Sequence, residues 1–311
     1  MGKWISLLFV IALGLLAGCS SAPEQPEEVF DRQNQGATYA DFGNAYFAQG
    51  QYPRALYFFQ LALNEHRAVD NEPGISRSLG SIGSVYLAAG RYDSAQRNFE
   101  DALEIARRLK DSQLLSLGYN NLGELSLRRG EHEAAEALFD EALANLLGDD
   151  PGQEAIIRHN RGVALLRQNR LEEAESSFRE ALALNQQERR KVEEAANWYM
   201  LSSLRARQEA YPEAAEYAAR ALDLDKQMEN SLGIAKDLRA LGTIHAEMDR
   251  YDEALEYTSR ALEVYVALNM PRESSETLEE LEVLSRQAGL TVEAEEYRRQ
   301  RELIEDGLRD G

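Results

Sequence analysis

The sequence predicts an all-α protein, a solenoid of stacked antiparallel helical hairpins, and two observations support this fold class. Ala, Leu, Glu and Arg abound whereas strong β-forming residues are sparse, and 28% of the residues are charged, a composition typical of helical proteins. A pattern of small and apolar residues also recurs about every 40 residues from Gly43 towards the C-terminus. Each recurrence can hold one hairpin, so that neighbouring hairpins bury one another's apolar faces.

The segment 1–18 is expected to be a secretory signal peptide. Lys3 supplies a positive start, and residues 5–17 form an apolar run of about thirteen residues, where a membrane-spanning helix needs about twenty. The run ends in the tetrapeptide LAGC, residues 16–19, which resembles the lipobox of bacterial lipoproteins. That resemblance implies cleavage before Cys19 and attachment of lipid to its thiol. The alternative is an unmodified cysteine in an uncleaved N-terminus.

Cys19 is the only cysteine among the 311 residues, so it cannot form an intrachain disulfide. Its thiolate is a strong nucleophile and therefore suits lipid attachment. Ser20 follows it, which on the same resemblance favours the outer membrane, facing the periplasm, if the organism has two membranes. Residues 19–35 contain two prolines and little helical periodicity, so we expect the lipidated cysteine to continue into a flexible tether.

Repeated units are expected to fill residues 36–308. Six units align with one another, and a degenerate seventh unit follows as a C-terminal capping repeat. Equivalent positions recur at a period of about 40 residues, and a single step is one residue shorter than the others. The expected repeats are 36–74, 75–114, 115–152, 153–192, 193–233, 234–274 and 275–308.

A small residue occupies one fixed position inside the helical pattern of each unit. Glycine at such a position costs roughly 0.5–1 kcal/mol relative to alanine. Its recurrence predicts that another helix backbone approaches closely there. The positions are Gly43, Gly83, Gly123, Gly162, Ser202 and Gly242.

Seven residues after each small residue, the first helix of the unit is expected to end in a left-handed residue, which Gly and, less readily, Asn and Asp tolerate. Glu209 departs from this pattern in the fifth unit. Pro or an acidic residue then opens the second helix, where both are favoured. The turn positions are Gly50, Gly90, Gly130, Asn169, Glu209 and Asp249.

The second helix of each unit carries two alanines seven residues apart, and a phenylalanine lies between them in the first four units. These four are Phe59, Phe99, Phe139 and Phe178. This order of small and aromatic residues resembles the tetratricopeptide repeat over roughly residues 36–308. The resemblance implies a right-handed solenoid whose ligands lie on the concave face, formed mainly by the first helices. The family's unit is usually about 34 residues long, and the longer period found here resembles the variant of kinesin light chains and some bacterial peptide-sensing regulators.

By offset within the repeat, the resemblance implies a partner-binding groove on that concave face. Arg128, Arg167 and Arg207 would form a ladder there, and guanidinium groups suit recognition of carboxylates or peptide carbonyls. The alternative is that these arginines only stabilise the C-terminal ends of the first helices or pair with glutamates of neighbouring repeats. The groove residues are Asn44, Phe47, Arg77, Asn120, Arg128, His159, Arg167, Tyr199, Arg207, Lys236 and Arg239.

Two apolar features allow more than one interpretation. One is a stripe of four apolar residues, one from each of the first four repeats. It predicts packing between adjacent first helices or, alternatively, an exposed apolar track. Residues 39–59 hold eight of the 25 aromatic residues. Because repeat one can pack only against repeat two, these rings suggest a surface for a partner, for the tether or for a second copy in a homo-oligomer, with core packing as the alternative. The stripe residues are Phe47, Leu87, Leu127 and Leu166.

Composition and spacing argue against catalysis, metal binding and cofactors. His66, His132, His159 and His245 fall at unrelated positions, so no two are spaced to share a metal on one helix face. No Gly-rich phosphate loop follows a strand, and no cysteine remains as a nucleophile after lipidation. The net charge of −20 argues against nucleic acid as a partner.

The sequence therefore predicts a binding protein rather than an enzyme. We expect a membrane-anchored, non-catalytic scaffold or adaptor for a protein or peptide partner in the bacterial cell envelope. The alternative is a ligand- or peptide-binding accessory subunit of an envelope transporter or sensing system. An open groove would favour the first function, and an enclosed pocket would favour the second.

Overall fold

The computed structural model describes residues 27–146 and 150–310, which contain fourteen α-helices and no strand. The expected signal peptide and Cys19 lie outside the described residues. The helices are α1 (Glu27–Ala48), α2 (Tyr52–Ala68), α3 (Glu72–Ala88), α4 (Tyr92–Leu109), α5 (Ser112–Arg129), α6 (His132–Asn145), α7 (Pro151–Arg167), α8 (Leu171–Gln187), α9 (Lys191–Arg207), α10 (Tyr211–Gln227), α11 (Ser231–Glu247), α12 (Tyr251–Ala267), α13 (Pro271–Gln287) and α14 (Thr291–Asp310).

The helices form seven hairpins, each odd-numbered helix packing along the even-numbered helix that follows it. Each hairpin then packs on the next, so the predicted all-α solenoid is confirmed. Buried side chains join neighbouring hairpins: Phe178, Trp198 and Ala221, from α8, α9 and α10, belong to one cluster. Within the part of the chain that the structure describes, no helix combines the length and apolar character needed to cross a membrane.

Several first helices begin at a side-chain cap. The side chains of Asn71, Asp111, Asp150 and Asn230 each accept a hydrogen bond from the backbone N–H three residues later. Such a cap satisfies one of the N–H groups that a helix leaves unpaired at its N-terminus. Four hairpins therefore begin at such a cap, and the second hairpin comprises residues 72–109.

Helix α1 begins inside the segment expected to be a tether. Residues 27–35 are helical, which corrects the expected extent of the tether, 19–35. Contacts with α2 account for the helix: Arg32 pairs with Glu65 at 3.1 Å, and Gly36 packs against the His66 ring. Because these partners lie on a different helix, the sequence of residues 27–35 alone did not reveal them.

In the first four repeats the small residue makes room for an aromatic ring, not for another helix backbone as expected. A Cβ built on Gly123 would lie 2.5 Å from Cε1 of Phe139, and the same Gly–Phe pairing occurs in each of the first four repeats. The Phe139 ring is fully buried. The ring comes from the second helix of the same hairpin, so the pair holds the two helices of a hairpin together. The pairs are Gly43–Phe59, Gly83–Phe99, Gly123–Phe139 and Gly162–Phe178.

The fifth and sixth hairpins use smaller residues at these positions. Ser202 and Ala218 replace the glycine and the phenylalanine in the fifth, and the Ser202 hydroxyl donates to the carbonyl of Ala214 at 2.8 Å. In the sixth, Gly242 faces Thr258 and lies near the Ala254 backbone. This last contact resembles the expected approach of a backbone, because threonine is too short to keep the helices apart as phenylalanine does.

The turns confirm the predicted left-handed residues and extend them to Glu209, whose φ is 60°. Two backbone bonds close its turn, Glu209 N–H to Ala206 O at 3.0 Å and Ala210 N–H to Arg205 O at 3.0 Å. Such bonds offset a left-handed cost of roughly 1–2 kcal/mol. The turns between hairpins contain further left-handed residues that the sequence pattern did not predict. These are Asp70, Lys110, Arg189, Glu229 and Asn269.

Candidate functional site

First helices of consecutive hairpins line three adjoining cavities, and we call this side of the solenoid the groove face. His159, Tyr199 and Lys236 line a cavity of 290 Å³ between α7, α9 and α11, which we call the acidic cavity. Tyr199, Lys236 and Arg239 line the next, of 360 Å³, and Arg239 and Glu247 line a larger one of 710 Å³. The structure thus brings together four of the predicted groove residues, His159, Tyr199, Lys236 and Arg239.

His159 is fixed between two repeats. Its Nδ1 lies 3.0 Å from Oδ1 of Asn197, and its ring packs edge-on against Phe178 with centroids 5.7 Å apart. Burial lowers the pKa of His159 below its ordinary value, so the ring is neutral at pH 7. The neutral ring donates a hydrogen bond from Nδ1 to Oδ1 of Asn197.

Asn120 belongs to a side-chain network rather than to an open surface. Its amide nitrogen donates to Glu124 at 3.2 Å, and the amide of Asn160 donates to both Asn120 and Glu124, at 3.1 and 3.0 Å. Burial raises the pKa of Glu124 against the opposing effect of these hydrogen bonds. The network joins α5 to α7, so the predicted groove residue Asn120 positions neighbouring first helices.

The arginine ladder divides into two kinds of residue. Arg207 donates from Nη1 to the carbonyl of Leu166 at 3.0 Å, so it caps the end of α7, which was the alternative interpretation. Arg128 and Arg167 are exposed at the C-terminal ends of α5 and α7. The positive charge of Arg128 opposes the rise in pKa that burial gives Glu124, one turn away on the same helix.

Arg239 is held in an ion-pair network across repeats. It binds Glu280 with both Nε and Nη2, at 2.9 and 2.7 Å, and Nη1 lies 3.1 Å from Glu276. These hydrogen bonds raise its pKa above the ordinary value for arginine. Its guanidinium therefore already pairs with glutamates of the next repeat, which was the other alternative for the groove arginines.

The three predicted groove residues of the first two repeats lie apart from these cavities. Asn44 and Arg77 are exposed, and the ring of Phe47 packs on Tyr52 with centroids 5.8 Å apart. The apolar stripe, in contrast, is covered: two of its members are buried and two are partly buried. The stripe therefore packs between helices and forms no exposed apolar track. Its buried members are Leu87 and Leu166, and its partly buried members are Phe47 and Leu127.

Two acidic side chains that the sequence analysis missed line the acidic cavity. Asp225 lies in the last turn of α10 and Asp237 lies in α11, and they are 4% and 1% exposed. Burial and the neighbouring Asp225 charge raise the pKa of Asp237 to about 8. Aligning the repeats could have revealed Asp237, because the equivalent positions of earlier repeats are uncharged. These positions are Ser78, Gly118, Ile157 and Asn197.

The N-terminal rings pack on one another around Phe58. Tyr46 stacks on it with centroids 5.3 Å apart, and Phe42 and Tyr57 lie 5.4 and 5.3 Å away. Phe42 and Tyr57 nevertheless remain 49% and 57% exposed. The cluster thus combines local packing with an exposed aromatic surface at the open end of the solenoid.

A family comparison agrees with this arrangement of hairpins. The model of the tetratricopeptide repeat matches residues 34–108, 114–187 and 153–227, which together cover more than half of the chain. The chain belongs to the tetratricopeptide repeat family. No curated protein matches this tetratricopeptide repeat protein in sequence.

Solved structures share the fold. BtubC (BKLC) from P. vanneervenii is 21% identical, with 70% of this chain and 91% of that chain covered and a TM-score of 0.60. A Rap protein complexed with Competence and Sporulation Factor is 15% identical (89% and 76% covered, TM-score 0.67). PilW, a type IV pilus biogenesis factor, is 20% identical (78% and 98% covered, TM-score 0.56). At these identities the likeness shows the fold alone.

Proposed function

We propose that this protein is a lipid-anchored, non-catalytic scaffold that binds a protein or peptide partner on its groove face in the bacterial cell envelope. Tetratricopeptide repeat proteins are generally protein–protein interaction scaffolds. The row of adjoining cavities along consecutive first helices is the observation that supports binding of an extended segment. The lipobox-like residues before Cys19 support the anchor, and Ser20 supports the outer membrane.

Two structural neighbours make this function reasonable. One is a Rap protein complexed with Competence and Sporulation Factor, and another is a factor for type IV pilus biogenesis. From these two proteins we infer only that a solenoid of this fold can bind a partner or take part in building an assembly. The chemistry of the groove residues must then select the partner of this chain.

Replacing Arg128, Arg167 and Arg207 together with alanine should reduce partner capture about tenfold, because exposed guanidinium groups bind carboxylates and carbonyls with charge-assisted hydrogen bonds. Capture should also weaken as salt is raised, since exposed charges are screened beyond about 8 Å at physiological ionic strength. Crosslinked partners pulled down from membranes measure capture. Because Arg207 caps α7, circular dichroism must first show that the variant is folded.

A matched control removes the same charge from the second helices. Arg97, Arg179 and Arg220 are exposed on α4, α8 and α10, and their replacement with alanine should leave capture unchanged. Equal loss of capture in both triple variants would show that net charge matters and not the groove arginines. Normal capture by a folded groove variant would contradict the groove assignment and make the aromatic surface around Phe58 the one to test.

Cys19→Ala should release the protein from membranes into the soluble fraction, because the anchor would have no thiol to attach to. Its helicity should not change, since the described helices begin at Glu27. Fractionation and labelling with palmitate check both points. A variant that stays membrane-bound in high salt would show that something other than lipid at Cys19 holds the protein there.

A ligand-binding accessory subunit is the second candidate function, and the acidic cavity favours it. That cavity contains two buried carboxyl groups and lies between α7, α9 and α11. Its volume of 290 Å³ is near the lower limit for small-molecule sites. Binding of a free small molecule with no protein partner recovered by crosslinking would favour this function over the scaffold.

A further inference from the structure

The carboxyl pair of the acidic cavity lacks a donor for one of its oxygens once both groups are ionised. Nδ2 of Asn230 donates to Oδ1 of Asp225 at 2.9 Å, and protonated Asp237 shares a hydrogen bond with Asp225. When Asp237 is ionised, its buried Oδ2 has no donor in the protein. Both aspartates are more than nine-tenths buried. A buried acceptor without a donor costs roughly 1–3 kcal/mol, so the site gains from any guest that supplies one.

The preceding repeat shows the same arrangement with neutral side chains. Asn185 and Asn197 occupy the positions that Asp225 and Asp237 hold one repeat later, and they line a cavity of 180 Å³. Oδ1 of Asn185, a residue 2% exposed, is also buried without a partner. Each of the two consecutive cavities therefore contains an acceptor without a donor in the protein, the amide oxygen of Asn185 in one and a carboxyl oxygen of Asp237 in the next.

We infer that the acidic cavity, lined by Asp225 and Asp237, binds the cationic side chain, lysine or arginine, of a partner's extended peptide segment. An ammonium or guanidinium group supplies donors and the positive charge that a carboxyl pair favours. This inference rests on the proposed function and names the side-chain chemistry that the groove selects.

The walls of the cavity suit the aliphatic stem of such a side chain. Val192, Ala195, Met200 and Leu232 line it together with the Tyr199 ring. Lysine and arginine bury their methylene groups along apolar surface while the charged end reaches a polar partner. A volume of 290 Å³ accommodates a side chain rather than a folded partner, which is why we assign it to one residue of an extended segment.

Lys236 weakens the preference of the acidic cavity for a cationic side chain. It is exposed beside the cavity, and its charge opposes the rise in pKa that burial gives both Asp225 and Asp237. The same charge repels a cationic guest. Replacing Lys236 with methionine should therefore strengthen binding of a cationic peptide several-fold, opposite to the effect of losing the carboxyl groups.

The neighbouring cavity, lined by Asn185 and Asn197, indicates how far apart in the peptide sequence two bound side chains should be. First helices of adjacent repeats are roughly 10 Å apart, as packed helices usually are. An extended peptide advances about 3.3 Å per residue, so about three residues separate the side chains that enter the two cavities. We therefore expect a donor such as serine or asparagine at one position and lysine or arginine about three residues away.

Calorimetry with two peptides tests the inference: acetyl-Ala-Ala-Lys-Ala-amide and its twin with norleucine in place of lysine. The lysine peptide should bind the full chain about tenfold more tightly, as a charge-assisted bond implies. Asp237→Asn should abolish that preference. Asp223→Asn, which removes an exposed charge from the same helix as Asp225, should preserve it.

Proton release gives a second reading of the same site. With its pKa near 8, Asp237 is largely protonated at pH 7, and a bound cation should displace that proton. The groups that face it are Asp225 from α10, Lys236 from α11, Tyr199 from α9 and His159 from α7. Heats measured in buffers of different ionisation enthalpy should therefore show proton release for the lysine peptide and none in Asp237→Asn.

Three results would overturn the inference. The first is equal affinity for the two peptides, and the second is a lysine preference that survives in a folded Asp237→Asn variant. The third is tighter binding of cadaverine than of the lysine peptide, which would assign the cavity to a free amine. None of these results contradicts the scaffold function, provided that the wild type still captures crosslinked partners and the Arg128, Arg167 and Arg207 triple variant captures fewer. If the triple arginine variant captures partners normally while the lysine preference persists, the claim that the groove arginines contact the partner is wrong and the cavity inference stands.

Discussion

Gly123→Leu is expected to destabilise the protein by about 3 kcal/mol, the upper part of the usual range for overpacking. A Cβ at Gly123 would already lie 2.5 Å from the buried Phe139 ring, and leucine adds three further carbons there. The ring cannot move aside, because it is enclosed between α5 and α6 and fully buried. Thermal unfolding followed by circular dichroism should show a melting temperature lower by roughly 5–10 °C.

The fifth repeat supplies the compensating change for this prediction. There, Ser202 and Ala218 occupy the positions of Gly123 and Phe139. Gly123→Ser and Phe139→Ala should each destabilise the protein when made alone. The double variant should lose less stability than the sum of the two single losses, because serine and alanine fit together at these positions in the fifth repeat. Gly307→Leu is the control, because no atom lies within 4 Å of a Cβ built there. An unchanged melting temperature for Gly123→Leu would contradict the packing of Phe139 on Gly123.

Asp237→Asn is expected to make the protein more stable at alkaline pH, by an amount on the order of 3 kcal/mol at about pH 9. The pKa of Asp237 is about 8 in the folded protein, against 3.8 for an ordinary aspartate, so the folded state binds one more proton across this range. Its contribution to stability is therefore present below about pH 4 and is lost as the pH rises through about 8. The asparagine amide can still donate to Asp225 but does not titrate.

Urea unfolding at about pH 5, 7 and 9 measures this effect. The wild-type free energy of unfolding should fall between pH 5 and 9 relative to that of Asp237→Asn, and the two should be similar at pH 5. Asp223→Asn should follow the wild-type profile, since Asp223 is exposed and accepts a hydrogen bond from Gln227 on its own helix. Parallel profiles for the wild type and Asp237→Asn would show that Asp237 is ionised at neutral pH.

The groove residues show what a residue's position within the repeat can indicate about its surroundings and what it cannot. Offset placed His159, Tyr199 and Lys236 on one face, and the structure finds them lining one cavity. It could not show that Arg207 bonds the Leu166 carbonyl or that Arg239 pairs with Glu280. Those partners belong to neighbouring repeats, so a rule based on position within one repeat contains no information about them.

The sequence by itself determined the hairpin period, the all-α solenoid and most of the left-handed turns, because these depend on small, aromatic and turn residues at short fixed distances. Only the tertiary structure decided that a Phe139 ring, and not a backbone, fills the space over Gly123, and that α1 begins at Glu27. It also decided that Asp225 and Asp237 face one buried cavity. Burial and pKa depend on which helices from neighbouring repeats exclude water from a side chain, and no local pattern contains that information.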